Sequence, residues 1–421
     1  MKIIHTADLH LGQVIYQNYD RTDEHSHFFA RLGELCVRER PDALVVSGDV
    51  FDIQQPSATV KRYFTENFVR LHSLCPEMRI VVVAGNHDSA SRLQAESSLW
   101  EFAGARVVGV PPDGTENPDR FIVRLPAGYI VALPYMSGER TETVQSLLDL
   151  VAEENAEGLP VVMTGHLAVS GMDATGHDGE IGKIRTQNIS SLGTGYDYLA
   201  LGHIHKPQTI GHQEDCLKDD VTYPSGAVRY SGSALHVSCD EKYPHSVSIV
   251  EIGRRGGNVR IRQERIDGLL HFHELPAGGG PFTSSEEALQ AVREFAEEQG
   301  RGYFRLRFDC RTVLPPDFCN AVYDIIGACG DSLRFNPKHL WTGGQETDAE
   351  TREKPAFEVA ELQQMTDPMM FIGKTAGRYP EFSLDELREA FVEAGEEIRR
   401  MEEEEKASAA KRAGNSPRQK I

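Results

Sequence analysis

Five strand-length apolar runs in this chain each end in a small residue and pass at once into metal-ligand side chains, and this constrains the fold more than any other feature. Lys2-Ile3-Ile4-His5-Thr6-Ala7 runs into Asp8-Leu9-His10-Leu11-Gly12. Leu44-Val45-Val46-Ser47 delivers Gly48-Asp49, and Ile80-Val81-Val82-Val83-Ala84 delivers Gly85-Asn86-His87-Asp88. Val161-Val162-Met163-Thr164 delivers Gly165-His166, and Tyr198-Leu199-Ala200-Leu201 delivers Gly202-His203-Ile204-His205. Side chains at the ends of strands are held on rigid backbone and can be aimed at one point. The chain is organised around that point.

Asp8, His10, Asp49, Asn86, His166, His203 and His205 form an oxygen and imidazole donor set without thiolate. Such donors suit Mn²⁺, Fe²⁺ or Zn²⁺, with Mg²⁺ a further candidate, rather than a cysteine-rich structural zinc. Seven ligands are too many for one ion. Two ions bridged by a carboxylate, roughly 3.5–4 Å apart, account for them and would activate hydroxide against phosphorus. Singly, an Asp-x-His turn or a Gly-Asp after a strand is ordinary; five such motifs in this order at five strand ends are not.

Between these motifs, apolar residues at helical spacing (Phe28, Phe29, Leu32, Leu35, Cys36) predict a helix that Pro41-Asp42 ends. Helices are expected at about 57–73, 89–103 and 143–154, giving an α/β layered core. Residues 171–195 are polar and glycine-rich, a long loop bordering the site. After the Gly278-Gly279-Gly280-Pro281 linker, the capping-box pair Ser284 and Glu287 opens a helix to about Gln299. Phe304-Arg305-Leu306-Arg307-Phe308 reads as a half-exposed strand with both arginines on one face. With Arg301 and Arg311 nearby, these arginines could track a phosphate backbone; a solvated, charge-alternating strand is the alternative. A further helix spans about 317–328 and a strand 332–335.

At 421 residues, several domains are expected, and no apolar run is long enough for a transmembrane helix. Cys36, Cys75, Cys216, Cys239, Cys310, Cys319 and Cys329 are scattered and never spaced Cys-x-x-Cys, which fits a reduced compartment. With a directly starting strand and no signal peptide, cytoplasmic residence is expected. The net charge of −20 argues against broad attraction to DNA, so metal ions or a partner must supply positive field. Residues 346–406 are strongly acidic and 407–421 basic, the latter reading as a disordered tail. Within the acidic segment Leu384, Leu387, Phe391, Ala394 and Ile398 form a stripe spaced to pack against another helix.

The motif order resembles that of the calcineurin-like metallophosphoesterases. The stretches Thr6–Gln13, Gly48–Asp52, Ala84–Ser89 and Ala200–Gln208 resemble, within them, the SbcD family of nuclease subunits. Arg229–Ser233 and Leu333–Pro337 extend the similarity to about residue 340. The resemblance implies a manganese-dependent nuclease of DNA repair and recombination: a 3′–5′ double-strand exonuclease and single-strand or hairpin endonuclease. It implies a homodimer bound to an SbcC-type SMC-like ATPase, acting on DNA ends and hairpins. In the family pattern Asp8, His10, Asp49 and His205 hold one ion, and Asp49, Asn86, His166 and His203 the other. His87 is then the catalytic histidine outside the ligand set. Two places depart from the family text: Gly179-Glu180-Ile181-Gly182 in the 171–195 loop, and His245 where a lysine often stands.

The expected organisation is α/β: a two-sheet sandwich flanked by helices at 1–267, carrying the site, and a small α/β capping module at 268–345 with DNA-binding arginines. A helical partner-binding segment at 346–406 and the basic tail at 407–421 complete it. The rival readings are a di-metal phosphodiesterase of small nucleotides and a non-catalytic DNA-end scaffold. The long C-terminal extension argues against the first, and a full ligand set against the second.

Overall fold

A computed structural model describes residues 1–342 except 17, 176–185, 216–217, 239–240, 242, 267 and 299–300, and the side chains of 328 and 331. The expected helical segment with Leu384, Leu387, Phe391 and Ile398, the basic tail, and Gly179–Gly182 lie outside the described residues.

A seven-stranded sheet runs Asp220–Tyr223, Val259–Arg265, Ser246–Ile252, Lys2–Thr6, Ala43–Ser47, Arg79–Val83 and Ala105–Val108. A six-stranded sheet runs Gln208–Thr209, Ala227–Tyr230, Tyr198–Gly202, Val161–His166, Gly128–Ala132 and Ile122–Leu125. The strands that end in ligand motifs are parallel to their motif-bearing neighbours within each sheet. Period-two alternation decides which face each residue takes. Ile3, Val45, Val81 and Val83 join the core that also holds Val131, Val162 and Leu199 of the second sheet. Ile4, Leu44, Val46, Ile80 and Val82 join Phe28, Phe64 and Phe68 of the covering helices. Each such side chain contributes about 1.5–3 kcal/mol on burial. Ser47 Oγ lies 2.8 Å from Thr164 Oγ1 and donates to the Ala200 carbonyl at 3.2 Å. Those bonds tie the two sheets together just below the motifs.

The helices follow the sequence pattern with two differences. Thr22–Glu39 ends at Arg40 in the left-handed conformation, and Ala58–Leu74 buries Phe64, Phe68 and Leu71 at helical spacing. The helix expected at 89–103 is two short ones, Ala90–Ala95 and Ser97–Phe102, divided at Glu96. The Gln94 amide donates to Ser97 Oγ across that division, and its oxygen accepts from Gly109 N–H at 2.9 Å. The capping box is not reciprocal: Ser284 Oγ accepts from Glu287 N–H, but the Glu287 carboxylate returns to Thr283 N–H.

Phe272–Leu275, Gly302–Asp309 and Leu333–Thr342 form a three-stranded parallel sheet, the last strand longer than expected. Phe304, Leu306 and Phe308 face helices Ser285–Glu298 and Phe318–Ile326. The opposite face carries Tyr303, Arg305 and Arg307, and Tyr303 packs with Ile15 and Leu270. The arginine face is therefore turned inward.

A buried polar joint sits beside Tyr303. Arg21 grips Glu24 with two bonds of 2.8 and 3.0 Å and donates to Gln13 Oε1 at 2.7 Å. Tyr303 Oη donates to Glu24 at 2.5 Å, and Arg334 reaches Glu24, Asp23 and the Tyr303 hydroxyl. Burial alone would raise the Glu24 pKa; Arg21, Tyr303 and Arg334 outweigh it and hold the carboxyl below its usual range. One residue on, His25 Nε2 bonds the carbonyl of Leu9, between Asp8 and His10. The three-stranded module is thus wired to the first ligand loop.

Candidate metal centre

All seven expected ligands converge. Asp8 N–H donates to Gly48 O and His10 N–H to Asp49 O, each at 3.0 Å, so the first two ligand loops are zipped backbone to backbone. His203 N–H donates to Asp8 Oδ1 at 3.0 Å, and His87 N–H to Asp49 Oδ1 at 2.8 Å. Asp8, His10 and Asp49 have φ of 53°, 45° and 47°, and His203 has 92°. Left-handed backbone costs a non-glycine residue roughly 1–3 kcal/mol and collects at functional sites. The glycines beside the ligands have a steric reason. A Cβ on Gly48 would stand 2.2 Å from His166 Nδ1, and one on Gly85 would stand 2.1 Å from Asp49 Oδ1.

The donors are spaced as ligands. Asn86 Oδ1 lies 2.9 Å from His166 Nε2 and 2.9 Å from His203 Nδ1, and Asp49 Oδ2 lies 3.3 Å from His166 Nε2. Octahedral donors about 2.1 Å from one ion stand about 3 Å apart. Ligand atoms of Asp8, His10 and His205 lie within 4.8 Å of one another, as do those of Asp8, Asp49 and His166. Asp8 is common to both groups, with Asp49 in the second.

Imidazole tautomers are set from behind. His166 Nδ1 donates to Ser47 O at 2.8 Å, and His205 Nδ1 donates to Glu241 Oε1 at 2.9 Å. Each leaves Nε2 as the lone-pair donor, as metal-binding imidazoles require. His10 Nε2 is buried without a hydrogen-bond partner, while its Nδ1 stands 3.3 Å from Asp52 Oδ1. An orphaned buried imidazole nitrogen beside this donor set fits a cation.

Charge is crowded here. Burial raises Asp8, whereas Asp49, despite burial, is held far below its usual range by His166, His10 and His87. Burial, aided by Asp49, pushes Asp88 up to about 6 even though the Gly85, Phe51 and Val50 N–H groups bond it. Burial takes His205 down to about 4.

His87 is exposed at the rim, its ring 5.0 Å from that of His10. Its Nδ1 donates to Asp52 O at 2.8 Å, which leaves Nε2 for chemistry. His87 also stands in a candidate ligand group with His10 and Asp52.

Sequence reasoning passes over three supporting residues. Asp52 and Asp88 lie inside the ligand motifs, but nothing in their spacing assigns them a role. Glu241 has no local signal, since it lies 36 residues beyond its partner His205. Its carboxylate also stands 3.3 Å from His245 Nε2, so His245, one of the two departures from the family text, backs the centre. Glu241→Gln is expected to weaken metal binding about 10–100-fold. Manganese titration followed by calorimetry checks this; wild-type affinity would remove Glu241 from the centre.

The four arginines are not gathered into a patch. Arg301 is exposed; Arg305 is buried against Glu274 at 3.1 Å, and Arg307 meets Glu274 at 3.4 Å. Arg311 pairs with Asp309 at 2.8 Å.

The calcineurin-like phosphoesterase family model matches residues 1–207. The SbcD subunit of the nuclease SbcCD from Rhodobacter capsulatus is 30% identical over 406 residues, covering 88% of this chain and 93% of that protein. The SbcD protein of Escherichia coli strain K12 is 30% identical, covering 59% and 65%; that of Bacillus subtilis is 31% identical, covering 60% and 66%. Among solved structures, a dimetal phosphatase from Danio rerio covers 63% of this chain and 99% of its own, at 13% identity and a TM-score of 0.40. With the phosphoesterase motifs assembled and a relative matched along nearly its whole length, the chain belongs to the SbcD family of calcineurin-like phosphoesterases, metal-dependent hydrolases of the nuclease type.

Proposed function

We propose that this chain is a manganese-dependent DNA nuclease that works with an SbcC-type SMC-like ATPase. It would degrade duplex ends 3′ to 5′ and cut single strands and hairpins. The observation that carries the reading is the convergence of seven oxygen and nitrogen donors from five strand ends. Asp8, His10, Asp49 and His205 would hold one ion, and Asp49, Asn86, His166 and His203 the other. Manganese suits a mixed carboxylate, amide and imidazole set. Two such ions supply Lewis acidity and an activated water for in-line attack at phosphorus.

The chain's own residues supply the rest. Ser47 O and Glu241 keep His166 and His205 in the tautomer that presents Nε2. Asp88 accepts from three backbone N–H groups and thereby fixes the loop that carries Asn86 and His87. His87, held through Nδ1 by the Asp52 carbonyl, would give a proton from Nε2 to the departing 3′-oxygen. The experiment is cleavage of linear duplex and hairpin DNA beside bis-p-nitrophenyl phosphate, with and without manganese. Cleavage of the small ester alone, with the ATPase present, would favour a small-nucleotide phosphodiesterase.

A homodimer is supported by Leu99 and Phe102, 71% and 91% exposed on the helix Ser97–Phe102. Phe102→Glu is expected to halve the mass measured by light scattering; an unchanged dimer places the contact elsewhere. The acidic segment with Leu384, Leu387, Phe391 and Ile398 would dock on the ATPase. Truncation after Gly377 is expected to keep manganese-dependent cleavage of the small ester and to abolish co-purification with the ATPase. An insoluble or metal-free truncated protein would instead make that helix part of the core.

A further inference from the structure

Arg21 is 2% exposed, and its guanidinium bonds in two directions inside the protein. Nε and Nη2 grip Glu24, while Nη1 donates to Gln13 Oε1 at 2.7 Å and to the His236 carbonyl at 2.5 Å. Both of these oxygens lead to the donor group Asp8, His10 and His205. Gln13 N–H donates to His10 O at 3.0 Å. Val237, next to His236, donates its N–H to Glu241 Oε2 at 2.9 Å, and Glu241 Oε1 accepts from His205 Nδ1. His25, next to Glu24, holds Leu9 O at 2.8 Å. One guanidinium thus braces both chain segments that bring this group together.

A guanidinium braces in this way only while its own plane is fixed. Glu24 fixes it with a two-bond grip. The three-stranded module fixes Glu24 in turn, since Tyr303 and Arg334 both donate to its Oε2. Phe335 N–H also donates to Tyr19 Oη at 3.0 Å, in the short hairpin of Val14–Ile15 and Tyr19–Asp20 that lies between Gln13 and Arg21. The other donors are steadied from elsewhere: His166 by the Ser47 carbonyl, and the loop of Asn86 by Asp88. The two metal positions therefore have different supports.

We infer that Arg21 is a positioning residue for the metal position made by Asp8, His10 and His205, and that Tyr303 and Arg334 of the three-stranded module set its affinity through Glu24. The module then governs one ion of the pair and leaves the other to the sandwich. Lysine cannot take the place of Arg21. Its single ammonium lacks the planar fork that holds Glu24 on one side and two oxygens on the other. The inference rests on the two-ion reading and goes beyond it by making the two affinities separable.

The test is manganese binding by the full chain, followed by calorimetry and electron paramagnetic resonance. Wild type is compared with Arg21→Lys, Tyr303→Phe, His205→Gln and the double variant of Arg21→Lys with His205→Gln. Losing a residue that orients a ligand weakens metal binding about 10–100-fold. Arg21→Lys is expected to weaken one manganese equivalent by that factor and to leave the other at wild-type affinity. At a manganese concentration that fills both positions of wild type, its spectrum is then that of an uncoupled ion. Tyr303→Phe, which removes only a hydroxyl, is expected to weaken the same equivalent about threefold or more. His205→Gln should lose that equivalent, and adding Arg21→Lys should not alter the one that remains. Wild-type binding in either Arg21→Lys or Tyr303→Phe overturns the inference. So does a parallel weakening of both equivalents, which marks general loss of structure, and so does further weakening in the double variant. Should Arg21→Lys fail to fold, Tyr303→Phe decides by the same criteria. Should wild type bind a single equivalent, the two-ion reading fails, and the inference is decided by whether that equivalent weakens in both single variants.

Discussion

Replacing Asp49 with alanine is expected to empty both metal positions and reduce phosphodiester cleavage by about 10³–10⁴-fold. A metal's stabilisation of the transition state is several kcal/mol, and about 1.4 kcal/mol is a factor of ten. Asp49 is well placed for this effect. Its Oδ1 receives the His87 N–H and its Oδ2 faces His166 Nε2 at 3.3 Å. Metal analysis of the purified variant is the direct check, with Asp8→Ala beside it because Asp8 is common to both groups of clustered donors. If Asp49→Ala keeps one ion while Asp8→Ala loses both, Asp8 is the bridge.

Loss of the His87 side chain should act differently. A general acid contributes roughly 10²–10⁴-fold, so His87→Ala should lower cleavage by that factor with both ions still bound. His203→Ala, which removes a donor 2.9 Å from Asn86 Oδ1, should empty a site. Parallel metal analysis separates the cases. Metal loss in His87→Ala equal to that in His203→Ala would falsify the general-acid role and favour the ligand group of His87 with His10 and Asp52.

The centre is legible in the sequence because everything that makes a strand end into a ligand site is local. Apolar alternation places the strand, glycine admits the neighbouring imidazole or carboxylate, and the donor follows directly, as at Gly48-Asp49 and Gly85-Asn86. What escapes depends on partners far away in the chain. Glu241 is defined by His205, and nothing around it announces a carboxylate that backs a metal ligand. Alternation puts Arg305 and Arg307 on one strand face, as the structure does. It cannot tell that Tyr303 turns that face toward Ile15 and Leu270, or that Glu274 meets both guanidinium groups. The division of the helix at Glu96 follows the reach of Gln94 to Gly109, a contact between elements that helical spacing does not encode.

The joint of Arg21, Glu24, Tyr303 and Arg334 has a consequence in time. Glu24 and its partner Arg334 are 310 residues apart. At about 5–20 residues per second, a ribosome takes roughly 15–60 s to travel that distance. For most of that interval Arg21 and Glu24 have each other but neither Tyr303 nor Arg334, and the helix start that steadies Leu9 is incomplete. The loop bearing Asp8 and His10 therefore receives its last support only as the three-stranded module emerges. A nascent chain of this protein is a nuclease still unarmed until its second half has been made.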